Sequence, residues 1–162
     1  MTTLLQPQPE SADGAFWFVF EHLAEADLQD PSAMSKMTPE QRQVFALGML
    51  RQEVNSGGFD AYFRYNGGNT ALDAKDAAPL IGPSWELVIT EACNRVGHSY
   101  PTDQAVREAS VDELTERDPE AFERLDSAFY DLEADRPADD KRTRSSGPTA
   151  AHSSHDPRST AR

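Results

Sequence analysis

Phe122, Leu125, Phe129 and Leu132 recur at spacings of three and four residues. That spacing draws one apolar stripe along a helix and leaves the positions between it polar. A chain made of such stripes must bury them helix against helix. The pattern repeats upstream. Phe16, Val19, Phe20 and Leu23 predict a helix over 14–28. Thr38-Pro39-Glu40-Gln41 reads as a helix start, with Thr38 as cap, Pro39 at the first position and Gln41 closing a capping box. Val44, Leu47, Leu50 and Val54 supply its buried face, and Gly57-Gly58 is expected to end it. Phe59, Tyr62 and Phe63 continue for one or two turns to Asn66-Gly67-Gly68. Leu72 to Ile81 follows as a short helix, with Pro79 near its end. Trp85, Val88, Ile89, Ala92 and Val96 share the next face, with Gly97 at C′. Two weaker segments, 102–109 and 111–117, come next, the second opening on a Ser110…Glu113 capping box, and Asp118-Pro119 starts the last helix. No segment sustains a period-two alternation. The pattern predicts an all-α, single-domain bundle of about six or seven helices.

The length of 162 residues suits one domain. Its 28 Asp and Glu stand against 15 Lys and Arg, a formal net charge of −13. The charge is uneven: residues 1–135 hold 25 acids and nine bases, residues 136–162 three acids and six bases. The last segment contains no Leu, Ile, Val, Phe, Trp or Tyr and is expected to be a disordered basic Ser/Thr/Pro-rich tail. Pro7 and Pro9 suggest a flexible arm over 1–12, which leaves 13–135 as the folded unit. No apolar run approaches the roughly 18 residues that span a bilayer, and the first residues lack the basic and apolar regions of a secretory signal. The single Cys93 excludes an internal disulfide and a Cys cluster for zinc. Such an acidic balance argues against direct nucleic-acid binding by the folded part. The expectation is a soluble, cytoplasmic domain.

The run Glu53-Val54-Asn55-Ser56-Gly57-Gly58-Phe59-Asp60-Ala61-Tyr62-Phe63, followed by Asn66-Gly67-Gly68, carries more information. With Ala77, Leu80, Ile81 and Gly82 after it, and Phe122…Leu125-Asp126…Phe129-Tyr130 near the end, it resembles the bacterial DNA-mimic protein family, marked by an E-x-N-N-G-G-F-x-x-Y-F signature. The resemblance covers about 38–133. It departs at Ser56, which replaces the second Asn, at Tyr65-Asn66, displaced by about a residue, and at Pro79 inside a usually helical stretch. The resemblance implies an all-helical fold, a tendency to form homodimers, no catalysis and no cofactor. It also implies, for one type of member, occupation of the DNA-binding surface of a transcription factor, and for others a role as immunity proteins against toxins.

Read physically, the glycine pair permits a reversal at positive φ, from which Phe59 packs back onto the preceding helix. Asn55 and Asn66 suit helix caps, and Glu53 could accept backbone N–H groups at the reversal. The competing reading is an anion-binding glycine loop, although the Gly-Lys-Ser/Thr of a P-loop and its preceding strand are missing.

Twelve acids and three arginines lie within 103–135. Asp112, Glu113, Glu116, Asp118, Glu120, Glu123, Asp126 and Asp131 are the candidate partner-binding residues, with the apolar stripe turning the other way. Carboxylates three or four positions apart lie about 4.5–6 Å apart along a helix. Phosphates lie about 3.4 Å apart along one DNA strand. One acidic helix is thus sparser than one strand, and two faces or a dimer are needed to approach a duplex. The bland alternative is a solvated face. The candidate function is an acidic, non-enzymatic binding module for a basic DNA-binding protein, with a toxin-neutralising immunity protein or a metal-assisted hydrolase as alternatives. His152 and His155 form a weak His-x-x-His metal pattern in the expected tail, His22 and His98 read as helix-end or surface residues, and Cys93 reads as a core residue.

Overall fold

A computed structural model describes residues 12–30 and 32–136. The expected N-terminal arm, up to residue 11, and the expected tail, from residue 137, lie outside the described residues. Among the described residues the chain is all-α. It forms α1 (Ala12–Gln29), α2 (Ala33–Lys36), α3 (Pro39–Arg64), a 3₁₀ turn (Asn66–Thr70), α4 (Ala71–Ile81), α5 (Pro83–Val96), α6 (Gln104–Arg117) and α7 (Glu123–Ala134), with no strand.

The long central α3 organises the bundle, touching α1, the 3₁₀ turn, α4, α6 and α7. Its start is the expected capping box: the Gln41 N–H donates to Thr38 Oγ1 at 3.3 Å, and the Thr38 N–H donates to Gln41 Oε1 at 2.9 Å. The expected break at Gly57-Gly58 is a kink. Gly57 stays helical, Gly58 alone leaves the helix at φ 74° and ψ −179°, and the chain re-enters it at once. A Cβ at Gly58 would sit 2.7 Å from Asp126 Oδ2, so the site needs glycine for both torsion and space.

Beyond the kink, Phe59, Tyr62 and Phe63 are fully buried. Rings then run through the core from Tyr100 to Phe63 (5.8 Å), Phe59 (5.8 Å), Phe129 (5.6 Å) and Trp85 (5.2 Å). Phe59 therefore packs forward on α7. Helix α4 presents alanines inward, with Ala71, Ala74, Ala77 and Ala78 buried, and turns Leu72 and Leu80 to solvent. This inverts the simplest hydropathy reading, since small side chains let α4 lie close to α3 and α5. Pro79 sits in its last turn and Gly82 (φ 149°) ends it.

Four other expectations are corrected. The segments at 102–109 and 111–117 are one helix, α6, capped by Asp103, whose carboxylate accepts the Val106 N–H at 3.0 Å. Ser110 does not cap; it donates to Val106 O within the helix. The last helix begins at Glu123, because residues 119–122 form turns, yet its stripe holds, with Phe122, Leu125 and Phe129 buried and Leu132 packed alongside. On α1, Val19 is exposed, and the buried side is Phe20 flanked by Trp17 and Leu23, which pack with Met37 and Phe45 in a second, separate cluster. Gly97 caps α5 with extended backbone.

Two arginines are taken inside. Arg107, with no exposed surface, donates to Phe63 O (2.6 Å), Tyr65 O (3.2 Å), Pro101 O and Thr102 O (3.3 Å each) and Asn69 Oδ1 (2.8 Å). Its guanidinium thus satisfies carbonyls at the C-terminal end of α3, where the helix dipole is negative. Arg51 grips Glu133 with two bonds of 2.7 and 2.9 Å, reaches Asp13 at 3.1 Å, and lies against the Phe16 and Trp17 rings.

Candidate acidic interface

The stripe of α7 fixes which side faces the core, and a polar row runs beside it. Asp126, Tyr130 and Glu133, at i, i+4 and i+7, all tie α7 to α3. Asp126 Oδ1 accepts the Phe59 N–H at 2.8 Å, the Tyr130 hydroxyl donates to Val54 O at 3.1 Å, and Glu133 holds Arg51. Asp126 is therefore engaged at the α3 kink, where it satisfies an N–H that the new helical start leaves free. Burial raises its carboxyl above the ordinary value, partly offset by that N–H. The same bond answers the anion-loop reading, because a carboxylate of the protein already occupies the N–H that a phosphate would take.

The remaining signature residues have structural places. Glu53 reaches the second glycine turn, at Gly67. Burial raises its carboxyl, opposed by the pull of the Gly67 N–H, and its Oε2 is buried without a hydrogen-bond partner. Asn55 is an exposed residue inside α3, and Asn66 opens the 3₁₀ turn without capping it, the cap position being Tyr65. The Tyr62 hydroxyl meets Thr70 Oγ1 at 3.3 Å, and Thr70 donates to Gly67 O at 2.7 Å, closing the turn. Asn69 and Arg107, which the sequence reading passed over, lock the turn to α6. An arginine among the apolar positions of α6 is the one signal that could have found this.

The candidate partner-binding carboxylates sort by their neighbours. Asp112 pairs with Arg64, which also holds Asp60 at 2.7 Å. These two carboxylates raise the Arg64 guanidinium above its ordinary value. Glu113 stands 4.0 Å from Arg117, both well exposed. Asp118 caps the end of α6 and accepts the Glu120 N–H at 3.2 Å, so Asp118 and Glu120 lie in the α6–α7 turns and off the α7 face. Glu116, Glu120, Glu123 and Asp131 are exposed, and no cation pairs with them among the described residues. The result is a rim of carboxylates from the end of α6, around the turn and along α7. Arg51 and Arg107 turn inward and Arg95 reaches Ala121 O (2.6 Å) and Glu91 (3.2 Å), whereas Arg117 and Arg124 stay exposed within the rim, outnumbered by its carboxylates.

The sequence model of the DMP19-like protein family matches residues 35–144, from the end of α2 through α7. The chain belongs to the DMP19-like family. This is a family of DNA-mimic proteins and is not a known enzyme family. No curated protein and no solved structure matches the chain. The DMP19-like segment includes the kink, both glycine turns and the whole acidic rim, whereas α1 and the first half of α2 precede it.

No group of three or more His, Cys, Asp or Glu among the described residues could hold a metal ion. Burial pushes the Cys93 thiol up to about 12, and its Sγ lies 4.0 Å from Ala71 O. No helix among them is long and apolar enough to cross a membrane.

Proposed function

We propose that this DMP19-like protein is a non-enzymatic decoy whose exposed carboxylates occupy the DNA-binding surface of a basic partner, such as a transcription factor. The observation that carries the reading is an excess of unpaired carboxylate. Glu116, Glu120, Glu123 and Asp131 are exposed with no ion pair among the described residues and outnumber the exposed Arg117 and Arg124 of the same stretch, while Arg51 and Arg107 are engaged in the interior. The three ties between α7 and α3 hold the rim on a stiff frame, as a mimic of a stiff polymer requires. Glu113 and Asp118 extend it, and Asp112 stands at its edge beside Arg64. Asp126, engaged at the kink, contributes charge from behind the rim. Complementary charge speeds encounter and makes the complex weaken steeply with salt.

One copy presents fewer charges per unit length than a duplex, so the reading includes a homodimer. Leu80 and Leu87, 75% and 68% exposed on either side of the α4–α5 corner, offer it an apolar contact.

The test is affinity capture from lysate at low salt, followed by a salt step and a duplex-DNA competition on whatever is retained. The expected result is a basic protein that itself binds duplex DNA, competes with DNA for this protein, and is lost when Glu116→Gln, Glu120→Gln, Glu123→Gln and Asp131→Asn are combined. Retention unaffected by these changes, or by DNA, refutes mimicry.

A further inference from the structure

A cleft of about 460 Å³ opens at the seam between the N-terminal helices and the DMP19-like segment. It is lined by Asp27 of α1, Met34 of α2, Phe45 and Met49 of α3, and Asn66, Asn69 and Thr70 of the 3₁₀ turn. The volume lies within the usual range for a small organic guest, roughly 300–1,000 Å³. Asp27 and Met34 precede the family match, so the cleft exists because α1 and α2 are laid against α3, and it shares no lining residue with the α6–α7 rim.

The lining fixes the chemistry of the guest. Its one charged group is the Asp27 carboxylate, which no cation pairs among the described residues. No Lys or Arg lines it. Asn69 already gives its Oδ1 to Arg107, and the Thr70 hydroxyl is engaged with Gly67 O and Tyr62, so the Asn66 amide oxygen and Asp27 are the side-chain acceptors left for a guest. Arg107 has all its donors engaged by the turn and by the chain before α6. The lining joins the Phe45 ring to the Met34 and Met49 thioethers, which adapt to a flexible aliphatic stem and are polarisable toward a cation. An anion would meet the Asp27 carboxylate with only the neutral amide N–H groups of Asn66 and Asn69 to offset it.

We propose that this cleft binds a guanidinium or ammonium group carried on an aliphatic stem, with Asp27 as its charge anchor and Met34, Phe45 and Met49 receiving the stem. Such a group is found both in small amines and in the arginine side chain of a protein.

The chain carries its own reporters. Of its four methionines, Met34 and Met49 line the cleft, Met37 lies in the neighbouring apolar cluster and Met1 is remote in sequence. The full chain, labelled with ¹³C-methyl methionine, is titrated with n-butylguanidinium, with neutral n-butylurea, with pentanoate, and with the peptide acetyl-Gly-Arg-Gly-amide. The expected result is saturable shifts of the Met34 and Met49 methyls with butylguanidinium, none with pentanoate, and weaker ones with butylurea. Asp27→Asn should weaken the cation about two- to fivefold, as suits a partly exposed ion pair. Asp27→Asn must leave the remaining methyl shifts unchanged, which establishes that it folds. Shifts with the peptide identify a partner's arginine as the guest, and shifts with butylguanidinium alone identify a small amine. Failure of both cations to shift Met34 and Met49, equal binding of butylurea, or indifference to Asp27→Asn overturns the proposal.

Discussion

Replacing Arg107 by methionine keeps the aliphatic stem and removes five donors. The perturbation leaves Phe63 O, Tyr65 O, Pro101 O, Thr102 O and Asn69 Oδ1 without their partner. Hydrogen bonds to a charged group contribute about 1.5–3 kcal/mol each, but they are not additive, and a buried acceptor left unmade costs about 1–3 kcal/mol. Pro101 O and Thr102 O lie near the surface side of the network and recover water. Phe63 O and Tyr65 O cap the end of α3 and recover less. Against this loss stands relief from burying a guanidinium with no carboxylate beside it. The balance is a destabilisation of about 3 kcal/mol, out of a total near 5–15 kcal/mol. At roughly 3–5 °C per kcal/mol for a domain of this size, Tm should fall by about 10–15 °C. Urea unfolding followed at 222 nm should show a lower midpoint with an unchanged slope. Arg107→Lys, which keeps the charge but loses the planar fork, should recover less than half of the loss. A methionine variant within about 1 kcal/mol of the parent would show that the carbonyls are resolvated freely and that the network is not what fastens α6 to the turn.

Three further outcomes follow from the geometry. Glu53 has a carboxyl raised by burial, so its protonated form is the one favoured in the fold, and its contribution is best below the ordinary carboxyl range and is lost as pH rises through the raised value. Glu53→Gln should therefore raise the urea midpoint at pH 7 and flatten its dependence on pH in the acid range; a lower midpoint at pH 7 contradicts this. Gly58→Ala combines positive φ with a Cβ 2.7 Å from Asp126 Oδ2 and should cost about 2 kcal/mol. Asp126→Ala orphans the Phe59 N–H and should cost about 1–2 kcal/mol, and the double variant should lose less than the sum, which a double-mutant cycle measures. Neutralising Glu116, Glu120, Glu123 and Asp131 together should leave stability unchanged or slightly higher at low salt, because like charges are relieved and no partner is lost. A loss above about 2 kcal/mol would place these carboxylates inside the frame.

The helices were legible where an apolar stripe of full length met a local cap. The α7 stripe, the α5 face and the Thr38–Gln41 box are all where the spacing put them. Legibility failed where partners are distant in sequence. Nothing near Gly58 says that its bend is closed by Asp126, or that Tyr130 and Glu133 complete the same row, although Leu125-Asp126…Phe129-Tyr130 stands out as a pattern. The inward alanines of α4 mislead because burial there is decided by how closely helices approach. The acidic rim was legible as composition, but its membership was not: Asp126 is withdrawn by a backbone N–H and Asp112 is shared with Arg64, and both facts depend on residues more than forty positions away.

The bend in α3 has a consequence for how the molecule is made. Phe59, Val54 and Arg51 take their partners from residues 67, 76 and 82 positions further along. A ribosome therefore delivers the longest helix well before the segment that sets its angle. Until α7 has cleared the exit tunnel, the aromatic row beyond Gly58 lacks its facing wall, and the joint is free to straighten. Completion of the core must wait for α7. A stop codon ahead of position 126 would leave an unfastened α3 whose Phe59 and Phe63, short of their α7 partners, invite chaperones and proteases.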